Sequence, residues 1–195
     1  MLMVNAKGCP YTMTTQSPLV AYDVIEGVYT VPLRVFGDDR GSFAEVFRHE
    51  WFPMVNWDEM QMNRSVSKAG VLRGLHYHLN QVDYWLLLDG KIRVGMGDLR
   101  ADSRTYKAGA TLDLDATEPT GLFIPSGVAH GFYAQTDITL MYVVNQYYKG
   151  GVDERGVAWD DPELGVAWDV QTPVLSQRDQ ENKPLAALDA AVLPG

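Results

Sequence analysis

The chain has a single cysteine, Cys9, among its 195 residues. No internal disulfide is possible, and a reducing compartment is expected. Cys9 sits in a polar N-terminal stretch and reads as a spare thiol. The chain also lacks any apolar run near the ~20 residues that a membrane span needs. Residues 1–18 have no basic start followed by an apolar core, so no secretory signal is expected and the cytoplasm is the expected address. Cations are scarce: 16 Lys and Arg stand against 25 Asp and Glu, a net charge of −9 at pH 7. That balance argues against a nucleic-acid partner, whose backbone would be repelled. A small anionic substrate is still allowed if a few arginines gather in one pocket.

An apolar fraction of 46% is ordinary for a globular protein. A chain of this length buries a core without disulfide or metal staples. The expected organisation is an N-terminal arm over 1–22, one domain over 23–180 and a tail over 181–195.

Short β-rich runs between turns dominate the chain. Residues 23–36 suggest one or two strands, and Gly37-Asp-Asp-Arg-Gly41 is turn chemistry. Residues 42–48 alternate as a strand with Phe43, Glu45 and Phe47 on one face. Residues 49–58 suggest a short helix or loop. Residues 60–67 suggest a strand with Gln61, Asn63 and Ser65 in one row, a solvated face or a barrel lumen. Asp89-Gly90 between two apolar runs is a strong hairpin signal. Thr111 to Leu114, Phe123 to His130 and Thr139 to Gln146 add further β segments. Pro184 to Val192 suggests a short amphipathic helix. The pattern predicts an all-β barrel or sandwich.

Histidine is scarce too, at four residues. Two lie in Gly70-Val-Leu-Arg-Gly-Leu-His-Tyr-His78 and one in Ile124-Pro-Ser-Gly-Val-Ala-His-Gly131. His76 and His78 are two apart, so a strand points them to one face. With Asp83, Gly90 and His130 the spacing resembles the two motifs of a cupin barrel. In metal-binding cupins those four side chains ligate one divalent ion. An alternative reading is therefore a metal-dependent enzyme using His76, His78, Asp83 and His130.

A second resemblance covers about residues 23–180. Gly37-Asp-Asp-Arg-Gly-Ser-Phe-Ala-Glu45, Gln61-Met-Asn63, Val71-Leu-Arg-Gly-Leu-His-Tyr77, Pro125-Ser-Gly-Val-Ala-His-Gly-Phe132, Tyr147-Tyr148, Gly156-Val-Ala-Trp-Asp-Asp-Pro162 and Leu175-Ser-Gln-Arg-Asp179 occur in the order found in the dTDP-4-dehydrorhamnose 3,5-epimerase family. The resemblance implies a cupin jelly-roll β-barrel with N-terminal strands and a short C-terminal helical segment. It implies a homodimer, a nucleotide-sugar substrate and no metal or nicotinamide cofactor. The implied reaction inverts carbons beside the C4 ketone of a dTDP-4-keto-6-deoxy sugar, in deoxysugar biosynthesis.

The same resemblance assigns roles. His76 would be the general base, oriented by Asp179, and Tyr142 would return a proton from the opposite face. Arg40, Glu45, Gln61, Asn63 and Arg73 would line the sugar and diphosphate region. Tyr147 would stack near the base, and His130 would lie on the pocket wall near the ketone oxygen. Two positions depart from the family. Asp83 stands where it has a lysine expected to stabilise enolate charge, and His78 stands where it commonly has Gln. Three readings follow: a single inversion with Arg73 and His130 as electrophiles, a restored metal site, or a nucleotide-sugar-binding protein without turnover.

Overall fold

A computed structural model describes residues 17–149 and 151–194; Cys9 and most of the expected arm lie outside them. Strands β1 (Val20–Ala21), β2 (Tyr29–Pro32), β3 (Val35–Asp38) and β4 (Gly41–Ala44) precede a 3-10 turn at His49–Trp51. Then come β5 (Gln61–Ser67), β6 (Leu72–His78), β7 (Asp83–Asp89), β8 (Lys91–Asp98) and β9 (Gly109–Asp115). Strands β10 (Thr120–Ile124), β11 (Val128–Ala134), β12 (Ile138–Val144) and β13 (Glu154–Gly156) follow, and α1 (Gln177–Glu181) comes after them.

Two sheets face each other, one ordered β1-β2-β10-β7-β12-β5 and the other β13-β6-β11-β8-β9. Consecutive strands β6, β7 and β8 alternate between them, as do β10, β11 and β12. This is the jelly-roll arrangement. No helix of the described residues is long and apolar enough to cross a membrane.

The expected Asp89-Gly90 hairpin is corrected. Strands β7 and β8 are not paired; they belong to opposite sheets, and Gly90 is a corner between them. Gly90 has φ +81, and a Cβ there would lie 2.3 Å from the Asp137 carbonyl. The glycine serves a sharp bend and a close backbone approach, which a hairpin turn and a sheet corner need alike.

The core fills the space between the sheets. Trp85 and Leu87 of β7, Val94 and Met96 of β8, and Phe132 of β11 meet there. Tyr84 of β7 points the other way, into a second cluster with Phe52, Phe123 and Val143. Strand β7 is thus buried on both faces. A third cluster, with Leu72, Leu75 and Tyr77 of β6, Trp168 and Leu185, seats the C-terminal segment on the outer face of the second sheet.

One strand boundary and one expected helix differ from expectation. Strand β4 ends at Ala44, so Glu45 lies in the following loop, where it pairs with Arg48. The expected helix over 184–192 is replaced by two 3-10 turns, Leu185–Ala187 and Ala190–Val192. The helix of this region is α1 instead. Ser176 caps it, accepting the Asp179 N–H at 3.1 Å, so Ser176 and Asp179 stand at the N-cap and third helical positions.

Candidate active site

Strand β6 builds one wall of the site by breaking its own alternation. His130 pairs with His76, and Phe132 pairs with Arg73, so three steps on β6 match two on β11. This bulge puts Arg73 on the same cavity wall as His76 and His78 despite its odd spacing. Leu72, Leu75 and Tyr77 pack instead into the outer cluster. The bulge needs glycine on both strands. Gly74 has φ +126, and a Cβ on Gly131 would lie 2.4 Å from the Arg73 carbonyl oxygen.

The resulting cavity holds about 320 Å³ and is lined by Arg73, His76, His78, Asp83, His130, Tyr142 and Asp179 among others. That volume is at the low end of the ~300–1,000 Å³ typical of small-molecule sites. His76 Nε2 lies 2.6 Å from Asp179 Oδ1. The carboxylate is almost fully buried while the ring keeps 24% exposure. Burial alone would raise the Asp179 pKa. The His76 hydrogen bond and charge, the Ser176 hydroxyl and the Gly74 N–H outweigh it and hold the carboxyl below its ordinary value. The ring is therefore backed by a charged acceptor, which fixes its orientation. Tyr142 reaches the cavity from β12, on the opposite sheet. Burial, then the charges of Asp83 and Glu154, raise its pKa against the opposing pull of Arg73.

A second group lies deeper. Asp83 accepts from Gln81 Nε2 at 2.8 Å and from Trp85 Nε1 at 3.1 Å, and faces His130 Nε2 at 3.4 Å. His130 Nδ1 meets the Val128 carbonyl at 2.9 Å. Both nitrogens of His130 thus face protein groups, and neither is left over for a ketone oxygen. Burial opposes charge on both partners, but their mutual hydrogen bond wins: the Asp83 pKa is lowered and the His130 pKa raised. Burial lowers the His78 pKa, partly offset by Asp83.

Other expected site residues lie apart from this cavity. Arg40 is at the β3–β4 turn, largely exposed, with its guanidinium on Asp38. Glu45 is held by Arg48. Gln61 donates to Asn63 at 2.8 Å and accepts the Tyr148 N–H at 3.0 Å, while Asn63 stands across the ladder from Tyr142. Tyr147 lines an adjoining pocket that shares His78, Gln81 and Glu154 with the main cavity. Sequence reading missed Arg178 and Glu154, which pair on the cavity wall. A signal for Arg178 was present, because it lies inside the Leu175-Ser-Gln-Arg-Asp179 segment that helps carry the family resemblance.

A jelly-roll barrel with an imidazole–carboxylate pair and a phenol around one cavity defines a small-molecule site equipped for proton transfer. Comparison with known proteins makes the family specific. The family model for dTDP-4-dehydrorhamnose 3,5-epimerase matches residues 23–187. A dTDP-4-dehydrorhamnose 3,5-epimerase from Streptomyces griseus is 35% identical over 173 residues, 85% of this chain and 86% of the relative. The crystal structure of NovW, a 4-keto-6-deoxy sugar epimerase from Streptomyces spheroides, superposes with a TM-score of 0.83 at 34% identity, covering 90% of this chain and 92% of that one. ChmJ, a 3'-monoepimerase from Streptomyces bikiniensis solved with dTDP-quinovose, gives 0.81 at 32% identity, covering 87% and 90%. The chain belongs to the dTDP-4-dehydrorhamnose 3,5-epimerase family and is an isomerase of the epimerase class.

Proposed function

We propose that this enzyme inverts one or both carbons flanking the C4 ketone of a dTDP-4-keto-6-deoxy sugar. The observation that carries the reading is the His76–Asp179 contact in a cavity that Tyr142 enters from the opposite sheet. A proton beside a ketone is acidic enough for an imidazole base once the enolate is stabilised. His76 takes that proton, and Asp179 steadies the imidazolium that forms. Tyr142 returns a proton to the other face of the planar enolate, and the carbon is inverted. The sequence is redox-neutral, so its balance requires no nicotinamide.

Arg73 and Arg178 are the cations on the cavity wall and suit phosphate oxygens or a developing enolate charge. Gln61 and Asn63 continue the polar row of β5 that brings Ser65 into the cavity wall, and they suit sugar hydroxyls. Tyr147 in the adjoining pocket suits the nucleotide base.

A homodimer is the assembly we favour. Strand β5 is a sheet edge, and its outward row exposes 55% of Met62 and 52% of Val66. An apolar edge of that kind asks for a cover. In such an assembly Arg40 and Glu45 would serve a site other than the cavity of their own chain. One cysteine accords with a reducing address such as the cytoplasm.

The test is deuterium uptake. The enzyme is incubated in D₂O with dTDP-4-keto-6-deoxyglucose, and C3 and C5 are followed by NMR. Uptake at either carbon with inversion supports the reading. Binding without uptake across several 4-keto sugars would leave a nucleotide-sugar-binding protein.

A further inference from the structure

We propose that Ser176 is a positioning residue for proton transfer: its hydroxyl holds the Asp179 carboxylate so that His76 keeps a proton on Nε2 and presents Nδ1 to the substrate. The proposal rests on the reading of His76 as the base. It adds the atom that takes the proton and the residue that keeps that atom free.

The His76 ring has one protein partner. Asp179 Oδ1 meets Nε2 at 2.6 Å, and no other group among the described residues binds the ring. An ionised carboxylate only accepts. The neutral ring therefore carries its proton on Nε2 and has its lone pair on Nδ1. The ring lines the cavity, and Nδ1 is the one atom with which it can take a proton there. The other tautomer has a proton on Nδ1 already and is no base at that atom.

The tautomer is thus only as fixed as the carboxylate. The last torsion of an aspartate is broad and two-fold, so a single hydrogen bond to a ring leaves it loose. Two more donors tighten it, the Gly74 N–H and the Ser176 hydroxyl. Gly74 can donate because β6 bulges at this point against β11, and a bulge leaves a residue outside the ladder. Ser176 is brought to the same place by backbone. Val174 bridges Val71 in parallel, donates to the Gly70 carbonyl at 2.8 Å and accepts the Leu72 N–H at 2.9 Å. Two residues on, Ser176 lines the cavity and its oxygen accepts the Asp179 N–H at 3.1 Å. A helix cap needs only that acceptor. The hydroxyl proton, given to the carboxylate, is what orients Asp179 toward the ring.

The experiment reads the tautomer first, in the full chain without substrate. Histidine labelled with ¹⁵N is followed by long-range ¹H–¹⁵N spectra at about pH 8.5, above the ordinary histidine range. The His76 signals are assigned by their absence in His76→Gln. The parent should show one tautomer, with the proton on Nε2. Ser176→Asn keeps an oxygen cap on α1, since Asn caps as well as Ser, but puts no hydroxyl on the carboxylate. It should show both tautomers. Its kcat for deuterium exchange with dTDP-4-keto-6-deoxyglucose should fall about 10- to 100-fold, the cost of a small misplacement, with KM unchanged. Ser176→Thr keeps the hydroxyl and should rescue both readouts. The proposal is overturned by a parent ring protonated on Nδ1, by the parental tautomer in Ser176→Asn, which would leave Ser176 a helix cap, or by an equal loss in Ser176→Thr. A parent that exchanges nothing would end the epimerase reading, and the tautomer spectra would still decide the role of Ser176.

Discussion

Asp179 sits one helical turn past a capping serine and touches His76, 103 residues earlier in the chain, at 2.6 Å. The contact joins the C-terminal segment to the barrel wall. It makes the orientation of the His76 ring, the proposed base, depend on a helix of five residues.

Replacing Asp179 by Asn keeps the shape and removes the charge. Positioned acid–base groups contribute roughly 10²–10⁴-fold to rate. Asp179→Asn should therefore lower deuterium exchange by at least ~10²-fold while a bound dTDP is still retained. Exchange within a few-fold of the parent enzyme would show that the carboxylate does not act on the ring.

The same carboxylate gives a pH signature. Its pKa is lower in the folded chain than its ordinary value of 3.8. The unfolded chain therefore binds the proton more readily as pH falls. Stability from Asp179 is full above about 3.8 and is lost as pH drops through the lowered folded value. Urea unfolding should show Asp179→Asn less stable than the parent at pH 7, by about 1.5–3 kcal/mol for a charged hydrogen bond. The gap should narrow as pH falls below about 3.8. A gap that is constant with pH would assign the loss to packing alone.

Tyr142 should act after His76. Tyr142→Phe should leave deuterium exchange largely in place and block inversion, read as labelled but uninverted sugar by NMR. Full inversion in that variant would remove the phenol from the pathway. Burial and two carboxylates raise the Tyr142 pKa above 10.0. The ratio of inversion to exchange should then hold steady up to about pH 10.

At Gly131 the two strands of the site wall approach too closely for a side chain. Its added Cβ would meet Arg73 and Gly74 backbone at 2.4 and 3.0 Å, and backbone cannot swing aside as a side chain does. Gly131→Ala should destabilise by about 1–3 kcal/mol. That is a fall in Tm of roughly 2–4 °C per kcal/mol at this chain length. It should also slow exchange by displacing His76. An unchanged melting curve would show that the strands separate freely.

The all-β class was legible from alternation and turns, and the His76 region from its motif. The resemblance carried Asp179, since no local pattern links residues 103 apart. The Asp89-Gly90 corner was misread because turn chemistry is local. Whether the next strand pairs with the last or crosses to the other sheet depends on what the barrel must close. Arg73 shows the same limit: period-two counting puts it opposite His76, and only the bulge reverses that. Glu45 looked like a strand residue, but β4 stops a position earlier and a neighbouring arginine claims its carboxylate.

The most direct test of the central claim is deuterium exchange by His76→Ala beside the parent enzyme, under single-turnover conditions with dTDP-4-keto-6-deoxyglucose. The account predicts uptake at a carbon next to the ketone in the parent, and a rate at least ~10²-fold lower in the variant at every such carbon. Exchange in His76→Ala at the parental rate would contradict it.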